Sequence, residues 1–233
     1  QNREAVTMAD FNEAIDKVTL GLENKSMLMT RQDVYETAVH EAGHTTAIWL
    51  LEHAAPLVKI SIVPRGKALG VNMTMPEERV GYTKQAFLDE ICSFMGGRAA
   101  EELFLGTIGT GALNDMQQAT RIARSMVMYY GMSEKMPNIS YYDPQGQLGQ
   151  RPYSDERARL IDEETSRIVN EQYERAKKLI SEHAEQHHKV VDALMEKEVI
   201  FAADVEAIFG KRPWKSRTEQ LMEVAEARRK SQH

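Results

Sequence analysis

Apolar residues recur at helical spacing along most of the chain. In "TMADFNEAIDKVTLGLENKS", Phe11, Ile15, Val18 and Leu22 share one face behind a capping-box-like start at Thr7 and Asp10, which predicts an amphipathic helix over residues 7–24. After the polar joint "ENKSMLMTRQD", a second helix is expected over 34–53. It is apolar nearly all round, through Ala38, Val39, Ala42, Ala47, Ile48, Leu50 and Leu51, and stops near Pro56. In "VKISIVPRGKALGVNMTMPEE" two β-rich runs are broken by Pro64, Arg65 and Gly66 and again by Gly70, the pattern of a small sheet. Helical spacing returns at Lys84 in "TKQAFLDEICSFMGGRAAEELFLG", where close helix packing would explain the cost of Gly96 and Gly97.

A loop with Gly106, Gly109 and Gly111 leads to the helix "ALNDMQQATRIARSMVMYYGM", closed by Gly131 in the C′ role. "SEKMPNISYYDPQGQLGQRPYS" has turn chemistry with one strand-like run, so a long connection or a hairpin follows. Ser154 then starts a long helix with Leu160, Ile161, Ile168, Val169 and Tyr173 inward. Two shorter helices come next, "HHKVVDALMEKEV" and "AADVEAIF", and the end of the charged tail is expected to be mobile. The fold expected is mainly α, with a small β-element beside the second helix.

Composition narrows the function. A chain of 233 residues with 42% hydrophobic content can bury a real core. With 29 basic against 35 acidic residues and a net charge of -6, no broad footprint for nucleic acid exists. The single cysteine, Cys92, excludes an intramolecular disulfide framework and a thiolate zinc cluster, so any metal must be held by His, Asp or Glu. No apolar run approaches the ~18 residues that span a bilayer, and no signal peptide is evident, so a soluble chain is expected. With no Met at position 1 and no phosphate-binding loop, it reads as an excised piece that does not itself bind ATP.

The stretch "AVHEAGHTTAIWLL" places His40 and His44 one helical turn apart, with Glu41 between them. Residues i and i+4 on a helix lie about 5 to 6 Å apart at Cβ, so the two imidazoles can share one metal ion. Glu41 points about 100° away around the axis, off the metal yet near a water upon it, as a general base requires. Zinc with three protein ligands and an open position brings the pKa of that water to roughly 7, which suits peptide hydrolysis. The bland alternative is a polar stripe on a helix. The apolar flanks count against it, because three polar residues facing an interior need partners there.

The third ligand is open on spacing alone. The metzincin extension would need Gly and His where Ala47 and Leu50 stand, and His53 falls on the wrong side of the helix. His183, His187 and His188 sit in a charged stretch and are expected to be solvated. Glu101, Glu102 and Asp115 are the acidic candidates, nearly tied. Asp115 opens a helix, where a capping carboxylate is ordinary.

Taken in order, "AVHEAGH", "VKISIVPRGKALG", "GGRAAEELFLG", "TGALNDMQQAT" and "YGMSEKMPNISY" closely resemble the peptidase domain of the FtsH family of membrane-anchored, ATP-dependent zinc proteases. The resemblance covers about residues 31–210. It implies a helical zinc-peptidase domain holding one Zn2+ per chain through His40, His44 and Asp115, with Glu41 catalytic. Glu101 then looks like a carboxylate that orients a ligand histidine. The strand Val71, Asn72, Met73 and Thr74 would edge the cleft and pair with an extended substrate through main-chain hydrogen bonds; for each of the four, merely closing the sheet is the competing role.

Residues 1–30 would be the remnant of an ATPase domain and linker, 31–210 the peptidase domain and 211–233 a charged tail. ATP would bind only in the absent ATPase domain. The family's partners are unfolded or membrane-protein substrates, five further copies in a homo-hexamer, and a membrane reached through a missing N-terminal segment. The simplest parent setting is the bacterial cytoplasmic membrane with the peptidase on the cytoplasmic side, organellar inner membranes being the other possibility. Two rivals stand against a zinc endopeptidase: a non-catalytic helical assembly module with a structural metal site, and a small-molecule metal hydrolase. The first has no use for Glu41, and the second predicts a closed pocket instead of an open strand edge.

Overall fold

The computed structural model describes residues 7, 14, 17–18, 21–24, 27–66, 68–77, 79–143 and 152–230. The helix expected over 7–24 lies for the most part outside them. The fold is mainly α with one small sheet, as the sequence pattern predicts. Helix α1 (Arg31–Leu50) starts at a capping box in which the Thr30 hydroxyl accepts from the Asp33 N–H at 3.1 Å and the Asp33 carboxylate accepts from the Thr30 N–H at 2.8 Å. From Thr37 to Trp49 it is buried almost all round, which is why its sequence shows no single apolar stripe.

Strands β1 (Leu57–Ser61) and β2 (Val71–Thr74) pair antiparallel beside α1. Helix α2 (Lys84–Ala100) then crosses α1 at its glycines. A Cβ on Gly43 would lie 2.3 Å from Gly96 O, and one on Gly96 2.7 Å from Gly43 O, so the two backbones touch where the sequence accepts the cost of interior glycine. Instead of continuing as α-helix, Glu101–Leu105 forms a wider π-helical turn, ended by Gly106 at φ 67°.

Helix α3 (Leu113–Met128) caps at Tyr129, so Gly131, at φ 58°, falls one residue beyond the expected C′ position. There it turns the chain so that Met132 N–H donates to Met126 O. Helix α4 (Asp155–Glu182) is capped by Ser154 and packs on α2 and α3, with Ile161 and Ile168 buried. Helix α5 (Ala184–Lys197), strand β3 (Val199–Phe201) and helix α6 (Ala202–Phe209) complete the core. The sheet order is β2-β1-β3, with Ile60 opposite both Asn72 and Ile200. β3 is three residues long, too short to show an alternation, and the sequence pattern does not reveal it.

One expectation is corrected and one is filled in. The charged tail contains a further helix, α7 (Arg217–Lys230), exposed along its length and built from strong helix formers such as Leu221, Glu223, Ala225 and Arg228; the last three residues lie outside the described ones. His187 is fully buried: it shares the inward face of α5 with Val190, Val191 and Leu194, donates Nε2–H to Val39 O at 3.1 Å, and stacks on Phe104. His183 is half-buried and His188 exposed, so the charged context predicts only part of this cluster.

Candidate active site

His40 and His44 project from successive turns of α1, and their Nε2 atoms lie 3.0 Å apart. Asp115, in the first turn of α3, brings Oδ2 to 3.5 Å from His40 Nε2 and 3.6 Å from His44 Nε2. The loop through Gly109 and Gly111 delivers it across 71 residues of chain from His44. These three side chains are the group among the described residues able to hold a metal ion.

The second nitrogens fix the tautomers. His44 Nδ1 lies 2.8 Å from the Ser93 carbonyl, which only accepts, and His40 Nδ1 lies 2.7 Å from Glu101 Oε1. Both Nδ1 atoms therefore carry the proton, and both Nε2 lone pairs point at each other. Such an arrangement needs a cation in the gap. Donors at tetrahedral bond lengths to zinc lie about 3.3 Å from one another, so the triangle of 3.0, 3.5 and 3.6 Å has the right size. When a proton fills the gap instead, burial pulls the His40 pKa down, but the Asp115 and Glu101 carboxylates outweigh it and push it up to about 10. Asp115 is held well below its ordinary range: burial opposes this, and the two imidazoles prevail.

Glu101 occupies the start of the π-helical turn, where one oxygen meets His40 and the other accepts from the Gly109 N–H at 2.9 Å. It therefore ties a ligand histidine to the loop that carries Asp115. Glu102 faces away, exposed, and pairs with the Tyr173 hydroxyl and with Lys177 Nζ at 2.9 Å. The near tie among the three carboxylates is thus separated by the fold.

Glu41 is buried beside the donors. Asn72 Nδ2–H donates to Glu41 Oε2 at 2.7 Å. Burial raises the pKa of Glu41 above the usual carboxylate range, against the pull of both imidazoles and Asn72. Two glycines make room: a Cβ on Gly70 would lie 2.5 Å from Glu41 Oε1, and one on Gly97 2.5 Å from His40 Nε2 and 2.6 Å from His44 Nε2. Sequence reasoning missed Gly70, the Ser93 carbonyl and the side-chain role of Asn72. The visible signal was a glycine and an asparagine flanking Val71 in a strand beside the motif.

A cleft of about 1300 Å³ runs along α1, from Asp33 past the donors to Ile48, and His53 also lines it without joining them. Val71, Asn72 and Thr74 of β2 line it, whereas Met73 does not. β2 is an edge strand, paired to β1 on one side.

A profile of peptidase family M41 matches residues 27–208. The chain is 51% identical over 96% of its length to the ATP-dependent zinc metalloprotease FtsH of Parabacteroides distasonis, covering 33% of that protein. It is 46% identical over 92% to FtsH of Rhodothermus marinus, covering 31% of it. The mouse mitochondrial inner membrane m-AAA protease component AFG3L1 is 42% identical over 91% of the chain, with 28% of it covered. The chain thus spans about a third of the length of these relatives. With a matching profile across most of its residues, this chain belongs to peptidase family M41.

Proposed function

We propose that the chain is a zinc-dependent endopeptidase that cuts extended polypeptide. The observation that carries the reading is the convergence of His40, His44 and Asp115 beside the buried carboxylate of Glu41, at the floor of an open cleft. His40, His44 and Asp115 would hold the ion, one per chain, with Glu101 orienting His40. When bound, zinc acidifies water and polarises the scissile carbonyl.

Glu41 accepts the proton of the attacking water and returns it to the leaving amine. Its raised pKa brings the carboxylate nearer the working pH of such a shuttle, and Asn72 holds one oxygen still while it acts. The free edge of β2 offers main-chain groups to a substrate lying along Val71, Asn72, Met73 and Thr74. A structural metal site in a non-catalytic assembly module would be closed by a fourth protein ligand, and the open cleft favours the catalytic reading.

Within the parent protein, unfolded and membrane-protein substrates would be fed to the site by an ATP-driven ring of six copies anchored in a membrane. A bacterial cytoplasmic membrane, with this domain on the cytoplasmic side, is the setting we favour. ATP would bind outside this chain. No helix among the described residues is long and apolar enough to cross a membrane, so the anchor would lie elsewhere.

Zinc content and casein cleavage, measured on wild type and Glu41→Gln, test the reading. Near one zinc per chain in both with cleavage in the wild type alone is expected. No stoichiometric zinc in folded protein would sink it.

A further inference from the structure

The active-site helix has no basic residue in its last turn, and its final carbonyls need partners from outside. The segment after α6 supplies them. Trp214 Nε1–H donates to Leu50 O at 2.9 Å, and Arg212 Nη2 donates to Leu51 O at 3.1 Å and Ala54 O at 2.5 Å. In return, Trp49 Nε1–H donates to Gly210 O at 3.2 Å. The Arg212 guanidinium is also the charge that the C-terminal end of a helix favours; its buried Nε has no hydrogen-bond partner among the described residues.

Further contacts tie this segment to residues that line the cleft. Arg79 Nη2 donates to His53 O at 2.7 Å and meets Glu77 Oε2 at 3.0 Å, while Glu77 Oε1 accepts from the Arg217 N–H at 2.6 Å. His53, Ala54, Glu77 and Arg79 all line the cleft; Arg212, Trp214 and Arg217 do not.

We infer that residues 210–217 form a strap that sets the end wall of the substrate cleft, with Arg212 and Trp214 as positioning residues. The inference rests on the peptidase reading above. The strap lies past the 27–208 span that the family profile matches. The metal donors sit further up α1, at His40 and His44, where Gly97, Ser93 and Glu101 meet their rings. Loosening the strap therefore alters how substrate is held, and leaves the ion and the proton shuttle alone.

The test uses the full chain with zinc bound and a quenched fluorescent, unfolded substrate. Arg212→Gln is expected to raise KM by about tenfold with kcat and zinc content unchanged, the pattern of lost substrate binding. Arg212→Lys, which keeps a cation able to reach both carbonyls, should recover part of the loss. If Arg212→Gln does not fold, Trp214→Phe removes a single N–H donor and should move KM in the same direction. An unchanged KM in the folded variants overturns the inference, and so does a fall in kcat or zinc content. The same substitutions placed in Glu41→Gln should weaken binding of a labelled unfolded peptide, measured by anisotropy without turnover. Failure of the peptidase reading itself would show separately, as equal hydrolysis by wild type and Glu41→Gln.

Discussion

Asn72 holds Glu41 twice: its Nδ2 lies 2.7 Å from the carboxylate oxygen Oε2 and 3.0 Å from the backbone oxygen of the same residue. A strand of the sheet thereby fixes both the rotamer of the proposed base and the turn of α1 that carries it. Asn72→Ala is expected to lower kcat by about tenfold, a part of the 10²–10⁴ that a positioned general base contributes. Zinc content should stay at the wild-type level. Loss of zinc with activity would mean that Asn72 supports the donors instead.

Two glycines one helix apart should fail in different ways. The Cβ of Gly97→Ala meets first the ring ends of His40 and His44, side-chain atoms that can give way at the expense of the donor geometry. Zinc affinity should drop sharply while the metal-free protein melts as before. The Cβ of Gly43→Ala meets the Gly96 backbone and Ala100 Cβ, which cannot move without parting the helices. That variant should lose roughly 1–3 kcal/mol of stability, the usual cost of overpacking. Thermal melts with and without chelator distinguish the two.

Asp115 and Glu101 also differ in role. Asp115→Ala removes one of three proposed ligands and should strip the metal during dialysis. Glu101→Gln keeps a hydrogen-bond acceptor near His40 and should weaken zinc affinity by about 10–100-fold, the usual effect of losing a ligand's outer partner. Elemental analysis with competitive chelator titration measures both. The reverse order would show that the third ligand is wrongly assigned.

His187 gives the fold a pH dependence of its own. Its Nε2–H is committed to Val39 O, and its buried Nδ1 has no partner among the described residues, so protonation finds no acceptor. Burial lowers its pKa from 6.5 to about 4. The unfolded chain therefore takes up this proton before the native one does, and stability falls as the pH drops from about 6.5 towards 4. Above that range the contribution is fully present. His187→Gln keeps a donor and removes the titration, so denaturant midpoints of the variant should show a shallower slope in this window.

Glu164 acts at lower pH. Arg167, through Nε and Nη2 at 3.0 Å, and the Ser133 hydroxyl at 2.6 Å hold its carboxyl down to about 2. The stabilisation is present above the ordinary carboxylate pKa of 4.5 and is lost as the pH falls from there towards 2. Glu164→Gln should make the loss of stability in that window shallower by this group's share, as seen in urea melts at stepped pH.

The local chemistry was legible because it is local. His40, Glu41 and His44 need only helical periodicity to be placed, and the glycines at 43 and 96 announce a close crossing even though the partner of each is not evident. Asp115 was different. Its meeting with His40 depends on a loop and two helix packings, which only a resemblance could anticipate. Glu101 and Glu102 are adjacent in sequence but project from different sides of the π-helical turn, so one faces the site and the other Lys177. The burial of His187 follows from its neighbours on α5, against the charges that surround it in sequence. β3 escaped because three residues carry too little pattern.

The free edge of β2 has a consequence for selectivity. A strand of four residues spans about 13 Å and can satisfy the main chain of a partner only over that length. A compact domain has already spent those groups on its own ladders and helices, whereas a loosened chain carries them bare. Under the proposed reading, the edge would thus read the folding state of a polypeptide more strongly than its composition, and the choice among substrates would pass to whatever governs their arrival.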